Sequence, residues 1–325
     1  MLEQFVRSTP FSASRPTTAK SPGRAIVPAR SQRMLPFLRA QSRTGARYLL
    51  VTDIARFYHS VYTHSIPWAL HGKVQAKRNR GSSLVGNVLD RLVRNCQDGQ
   101  TIGIPVGPDS SLLIAEILLG VADRAAAKRL RGIRGFRYID DYELSFATLS
   151  AAEAGILELQ NALSDYELAL NPAKTRILEL PQPLDLTWAA ELRTYAIRSR
   201  RVSQATDLVD FFSKAFELAQ EHSRDSVLNF AIGRLRSVNV DRANWPLLQT
   251  LLLQCATSEL GTLRFVIDEI QRYERATYPM ARKTLVEVLN EHMERAALLG
   301  QASEVAWALW AAITFNVSVG RRVKS

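Results

Sequence analysis

Three aspartates have the types and spacing to do chemistry. Asp53 ends the short apolar run Tyr48-Leu49-Leu50-Val51-Thr52, and Asp140-Asp141 stands between Phe136-Arg137-Tyr138-Ile139 and Tyr142-Glu143-Leu144-Ser145-Phe146. Adjacent aspartates often do no more than favour a solvated turn through local hydrogen bonds. Here the flanking segments are apolar and aromatic, so the acids are carried toward a buried edge, where unpaired carboxylates are costly. Oxygen-only donors suit hard divalent cations, with Mg²⁺ expected and Mn²⁺ as the alternative. Two such ions about 4 Å apart would activate an attacking hydroxyl and stabilise a leaving oxygen in phosphoryl transfer.

These acids require particular elements to position them. From Arg47 the pattern reads as a strand ending at Asp53, then helical spacing through Ile66, Trp68, Ala69 and Leu70, then a basic loop over Lys73–Gly86. Asp109 opens a long helix over Ser110–Leu130, with Ile114, Ile117, Leu118 and Val121 on one face. A β-hairpin with Asp140-Asp141 as its two-residue turn follows. Ser150-Ala151-Ala152-Glu153 has capping-box spacing and starts a helix to about Leu168, and Thr175–Leu180 is one more strand. Strand, helix, paired strands, helix, strand is the split βαβ order of a ferredoxin-like sheet. From 203 onward strands vanish, and apolar residues recur at helical spacing in Leu208–Leu218, Val227–Leu235, Trp245–Cys255, Leu260–Ile270, Ala281–Leu298 and Glu304–Phe315. The expectation is an α+β chain: a basic arm over 1–46, a sheet domain over 47–202, and an all-α, helical-repeat-like domain over 203–325.

Composition bounds the function. The 325 residues are 46% hydrophobic and 22% charged, which excludes wholly disordered and collagen-like classes. Two distant cysteines exclude a disulfide framework and suit a reducing cytoplasm. The net charge is +11, and residues 1–47 hold nine bases against the single acid Glu3, so the arm is expected to be loop-like and ordered by contact with something else, such as a polyanion. An Arg- and Ser-rich start also fits a mitochondrial transit peptide, but Pro10, Pro16 and Pro22 interrupt an amphipathic helix there. The uncharged stretch after Glu304 reads as a buried helix, not a membrane span.

With these elements in place, the sequence resembles reverse transcriptases. Thr52-Asp53-Ile54-Ala55-Arg56-Phe57-Tyr58 is similar to the first palm motif, an aspartate followed five positions later by an aromatic. Gly103-Ile104-Pro105-Val106-Gly107-Pro108-Asp109-Ser110-Ser111 resembles the motif that positions template and nucleotide ahead of the palm helix. Tyr138-Ile139-Asp140-Asp141 matches Tyr-X-Asp-Asp, and Leu170-Asn171-Pro172-Ala173-Lys174-Thr175 resembles the next motif with its lysine. The stretch Arg56–Lys73, the Gly-Pro-Asp-Ser form and the helical tail are most similar to bacterial abortive-infection reverse transcriptases, which act in phage defence.

The resemblance implies a polymerase palm with reduced fingers, and an RNA-directed or untemplated DNA polymerase that uses dNTPs, binds RNA or DNA as template or product, and assembles as a homo-oligomer. It implies catalytic and metal-binding roles for Asp53, Asp140 and Asp141, and a general-acid role for Lys174. Nucleotide contacts are implied for Phe57, Tyr58, Pro105, Val106, Gly107 and the arm residue Arg24. Many relatives carry Gln where Val106 stands, so an apolar side chain would position the nucleotide by packing.

Plainer readings stand beside these. Tyr58 is either a wall against the sugar's 2′-hydroxyl or a core aromatic, and Lys174 either an acid or a surface charge. Lys73, Lys77, Arg78 and Arg80 form either a solvated loop or a phosphate-backbone contact. His59, His64 and His71 lack zinc-site spacing, and Trp307 with Trp310 suits helix core. The competing function is a catalytically degenerate palm that binds nucleic acid or signals through the helical region.

Overall fold

In the computed structural model, which describes Val6 and residues 9–19, 24–130 and 132–320, the run at Tyr48–Thr52 lies inside a four-stranded sheet. The chain divides into two compact units, residues 1–184 and 185–325. In the first unit the strands are β1 (Pro16–Thr18), β2 (Ile26–Pro28), β3 (Tyr48–Thr52), β4 (Arg134–Tyr138), β5 (Asp141–Phe146) and β6 (Arg176–Glu179). The large sheet has the order β4-β5-β3-β6 with every neighbouring pair antiparallel. Flanked on both sides, β3 reads as a near-continuous apolar run, and Leu49 and Leu50 are fully buried. Helices Asp109–Arg129 and Leu149–Ser164 bury Ile117, Leu118, Ala122, Leu159 and Leu163 in one core with Leu50, Tyr142 and Leu144. Burying each such leucine contributes about 2 kcal/mol.

Several expectations change. The hairpin pairs Tyr138 with Asp141, so its two turn residues are Ile139 and Asp140, and Asp141 is the first residue of β5. The helix expected from Ser150 is capped by Thr148, whose extended backbone lets its hydroxyl accept from the Ala151 N–H at 3.2 Å. Within the expected basic loop, Lys73–Arg78 is a short helix, with Ala76 buried and Lys73 4.4 Å from the centre of the Trp68 ring.

The arm is not loop-like. Its β1 and β2 form a hairpin, and Leu35–Ser42 is a helix. What orders it is the four-stranded sheet itself: Val6 and Phe11 enter the sheet's core, and Ser12 bridges to Arg137 of β4. Its charge is also partly spent internally. Arg24 pairs with Asp109, Arg39 and Arg43 with Glu143, and Arg47 with Glu179. Fewer cations than the sequence counts are therefore available to a polyanion.

The helical unit begins at Asp185, earlier than the expected 203, because helix Thr187–Thr194 buries Trp188, Ala189 and Leu192 in the helical core. Helices Arg201–Glu221, Val227–Leu235, Trp245–Ser258, Leu263–Arg275, Arg282–Leu298 and Ala302–Thr314 complete it. Trp245 stacks on Tyr273 with ring centres 4.5 Å apart. Trp307 packs against this core, whereas Trp310 is 41% exposed and is not a core residue. No described helix is long and apolar enough to cross a membrane.

Candidate active site

Asp53 leaves the end of β3 beside the loop that carries Lys174. That loop is pinned by backbone hydrogen bonds from Ala55 N to Ala169 O and from Asn171 N to Asp53 O, each 2.9 Å. A contact of 2.7 Å between the Thr52 and Thr175 hydroxyls adds to them. The result brings together groups 121 residues apart: the Lys174 Nζ donates to Asp53 Oδ2 at 2.5 Å. Asp53 is 6% exposed, and its other oxygen, Oδ1, is buried with no hydrogen-bond partner. The hydrogen bond to Asp53 raises the Lys174 pKa, with further help from the charges of Asp53, Asp141 and Asp140, so the lysine stays protonated.

The Asp140 and Asp141 carboxyls meet the same group of charges. Desolvation raises the Asp140 pKa, and Asp53 adds to the effect. Asp141 is raised from 3.8 to about 6, first by desolvation, then by the negative charges of Asp140 and Asp53, with Lys174 opposing. Between pH 3.8 and about 6 the folded protein binds more protons at Asp141 than the unfolded chain, so stability is highest below that window and is lost as pH rises through it. Asp141 is solvent-exposed, which mutes the effect through screening. Asp141→Asn is expected to flatten this part of the profile and to raise Tm at pH 7 while leaving it unchanged at pH 4. Thermal melts of both proteins from pH 4 to 8 check this, and parallel profiles would remove the raised pKa.

Around the acids, the expected nucleotide contacts separate into two groups. Tyr58 is half-buried, and its pKa is pushed up to about 12 by burial and then by the charges of Asp140 and Glu116, with Arg24 opposing, which places its hydroxyl in the field of the acidic turn. Its backbone carbonyl accepts from Ile104 N at 2.7 Å, so the 103–107 segment runs beside it. Gly103 has φ +87°, and a Cβ there would stand 3.3 Å from the His59 carbonyl oxygen. Pro105, Val106 and Gly107 are exposed, Val106 by 64%. Arg24 reaches this segment: Nε donates to Asp109 Oδ1 at 2.7 Å, and Nη2 donates to the Gly107 carbonyl. The Ala25 and Ile26 N–H groups donate to Asp109 Oδ2 as well, so Asp109 clamps the arm hairpin beside the motif. Phe57 belongs to the other group. It is 2% exposed in the sheet core with its ring 5.1 Å from that of Tyr58, so it backs the tyrosine and does not face a nucleotide. Two of the three histidines have structural partners: His64 Nδ1 contacts Asp90 at 2.7 Å, and His71 Nε2 accepts from Gly86 N at 3.0 Å.

A second charged group escaped the sequence analysis. Arg137, Glu116 and Asp123 are all completely buried. The Arg137 guanidinium donates to both Glu116 oxygens at 2.8 and 3.1 Å and to Asp123 Oδ2 at 2.7 Å, and Tyr142 donates to Asp123 Oδ1 at 2.8 Å. Burial favours the neutral form of both acids. At Glu116, Arg137 reverses that tendency and holds the pKa below its ordinary value, while Asp123 stays raised. A signal was present: Glu116 and Asp123 lie two helical turns apart on the palm helix, facing the side that must be buried.

Residues 7–209 match the family described as reverse transcriptase (RNA-dependent DNA polymerase). The chain belongs to the reverse transcriptase family. The sheet and its acidic turn therefore form a reverse-transcriptase-like palm, followed by a helical domain. No curated protein matches the chain. Among solved structures, apo telomerase from Candida tropicalis aligns with 12% identity and a TM-score of 0.43, covering 87% of this chain and 57% of that one.

The donor types of this reverse transcriptase palm suit a hard cation: three carboxylates, a buried oxygen of Asp53 without a partner, and two acids whose ionised forms are disfavoured by desolvation and then by nearby negative charge. Among the described residues, however, no three His, Cys, Asp or Glu side chains are grouped closely enough to hold one ion.

Proposed function

We propose that this palm is a nucleotidyltransferase that makes DNA from dNTPs, RNA-directed or untemplated, in the manner of the abortive-infection reverse transcriptases. The observation that carries the reading is the meeting of Asp53 and Lys174 at the end of β3, beside the turn of Asp140 and Asp141, whose carboxyls feel the charges of both. The all-antiparallel order β4-β5-β3-β6 supports reading the sheet as a ferredoxin-like palm, and the short β1–β2 hairpin supports reduced fingers. Asp53, Asp140 and Asp141 would hold Mg²⁺ or Mn²⁺, which when bound supplies charge neutralisation for phosphoryl transfer. Lys174, protonated beside Asp53, would give a proton to a departing phosphate oxygen. Tyr58 and the exposed 103–107 segment would flank the nucleotide, with Arg24 beside its phosphates. The likeness of Arg56–Lys73 to phage-defence relatives supports an antiviral role. The exposed apolar residues Leu298, Leu299 and Ile313 support assembly through the helical domain.

The test is incubation of the purified chain with each labelled dNTP, with RNA, with DNA and without template, followed by sequencing of products and a search for DNA attached to protein. Incorporation supports the reading, and its absence under every condition overturns it. The second reading, a palm that binds nucleic acid without catalysis, is favoured by the lack of a three-ligand acidic group among the described residues. It requires nucleic-acid binding that survives while incorporation is nil. A further outcome concerns Tyr58. Tyr58→Ala is expected to raise rNTP use relative to dNTP use by about tenfold, because the lost ring opens space beside the sugar. The ratio of kcat/KM values reads this, and an unchanged ratio makes Tyr58 a core aromatic.

A further inference from the structure

The acidic turn contains a residue in an unfavourable conformation. Ile139 has φ +58°, a left-handed backbone that glycine adopts freely and a β-branched residue does not. Two hydrogen bonds hold its backbone there, one on each side. The Ile139 N–H donates to the Ser14 hydroxyl at 2.7 Å, and the Ile139 carbonyl accepts from Arg137 Nη1 at 2.7 Å. The Ser14 hydroxyl in turn donates to Glu116 Oε1 at 2.8 Å, which fixes its orientation, and Ser14 is completely buried.

Ser14 is held at this point by its own segment. Phe11 O accepts from Arg137 N at 2.7 Å and Ala13 N donates to Arg137 O at 2.8 Å, so residues 11–13 pair with the outer edge of β4 through a β-bridge at Ser12. Upstream, the Thr9 methyl lies 2.4 Å from where a Cβ on Gly120 would stand, a close approach that the palm helix permits because position 120 lacks a side chain.

We infer that Ser14 is a positioning residue for the acidic turn: with Arg137 it holds the Ile139 peptide in its left-handed conformation and so aims Asp140 and Asp141. The N-terminal segment is on this account part of the catalytic apparatus, beyond its charge. The inference rests on the nucleotidyltransferase reading for its consequence in catalysis, but not for the geometry it asserts.

The experiment uses full-length wild type, Ser14→Ala and Ser14→Cys, each close in volume to serine and each without a strong hydroxyl partner. Amide hydrogen exchange is followed at Ile139, and steady-state incorporation is measured in parallel. Exchange at Ile139 is expected to accelerate roughly tenfold in both variants, with melting temperatures close to wild type. The kcat is expected to fall about tenfold to a hundredfold while KM for the dNTP stays within about twofold, because the turn is misaimed while the nucleotide contacts remain. Unchanged exchange at Ile139 overturns the inference, and so does accelerated exchange with unchanged kcat. A matched loss in kcat and active-protein fraction, with KM and Ile139 exchange unaltered, also overturns it by showing a general folding defect. If wild type incorporates nothing, the nucleotidyltransferase reading fails, and Ile139 exchange alone decides whether Ser14 holds the turn.

Discussion

Asp53→Asn is expected to lower nucleotide incorporation by roughly a thousandfold while leaving the fold intact. The amide keeps the volume and an oxygen that can accept from Lys174, but it loses the negative charge. On the proposed two-metal chemistry the loss of one anionic ligand would remove several kcal/mol of transition-state stabilisation, and each 1.36 kcal/mol is about tenfold in rate. A second consequence is independent of activity. Asp53 is one of the charges that raise Asp141, so removing it should lower the Asp141 pKa from about 6. Steady-state incorporation and titration of Asp141 by NMR check the two effects. Near-wild-type incorporation by a clean preparation of the variant would refute the assignment of Asp53 to the chemistry. Nucleic-acid affinity should remain, since Asp53 repels phosphate rather than binding it.

The largest stability effect is expected at Arg137. Arg137→Met keeps much of the side-chain volume but strands the completely buried Glu116 and Asp123 without their cation. Breaking a buried pair from one side costs about 3–5 kcal/mol, because the remaining charge has lost its compensation. The pH dependence gives the sign. In wild type Arg137 holds the Glu116 pKa below its ordinary value, so that contribution is present above the ordinary carboxylate pKa and is lost as pH falls through the lowered value. In the variant burial is opposed at Glu116 only by neutral hydrogen bonds such as that from Ser14, so Glu116 is expected to rise, and stability should recover as the pH is lowered and the carboxylates take up protons. Urea unfolding of both proteins from pH 5 to 8 measures this, and a variant within about 1 kcal/mol of wild type at pH 7 would show that the network contributes little. The same substitution removes the hydrogen bond to the Ile139 carbonyl, so surviving protein should also be impaired in catalysis.

The sequence by itself determined the local features. The apolar run before Asp53, the helix from Asp109, the paired strands around Tyr138–Tyr142 and the helical spacing after 203 all appear in the structure, because period-2 and period-3.6 patterns are short-range signals. Motif order singled out Asp53, Asp140, Asp141 and Lys174 as candidates. Only the tertiary structure decided which of them touch. Lys174 sits on Asp53 because the loop after Leu168 is pinned to residues 53–55, a pairing that no local pattern encodes. The arm was misread for the same reason. Residues 11–14 have no helical or strand periodicity of their own, and they take extended form because the edge of β4 offers unpaired backbone groups to complete. Phe57 and Tyr58 are neighbours in sequence, yet one is buried in the core and the other stands beside the acidic turn, because both lie in the helix Phe57–Ser60, where neighbouring side chains point about 100° apart. The pairing of Glu116 and Asp123 with Arg137 forms only when the helix Asp109–Arg129 packs on β4. A charge is expensive to bury alone and tolerable only when its partner arrives from another element, so their role exists only in the folded chain.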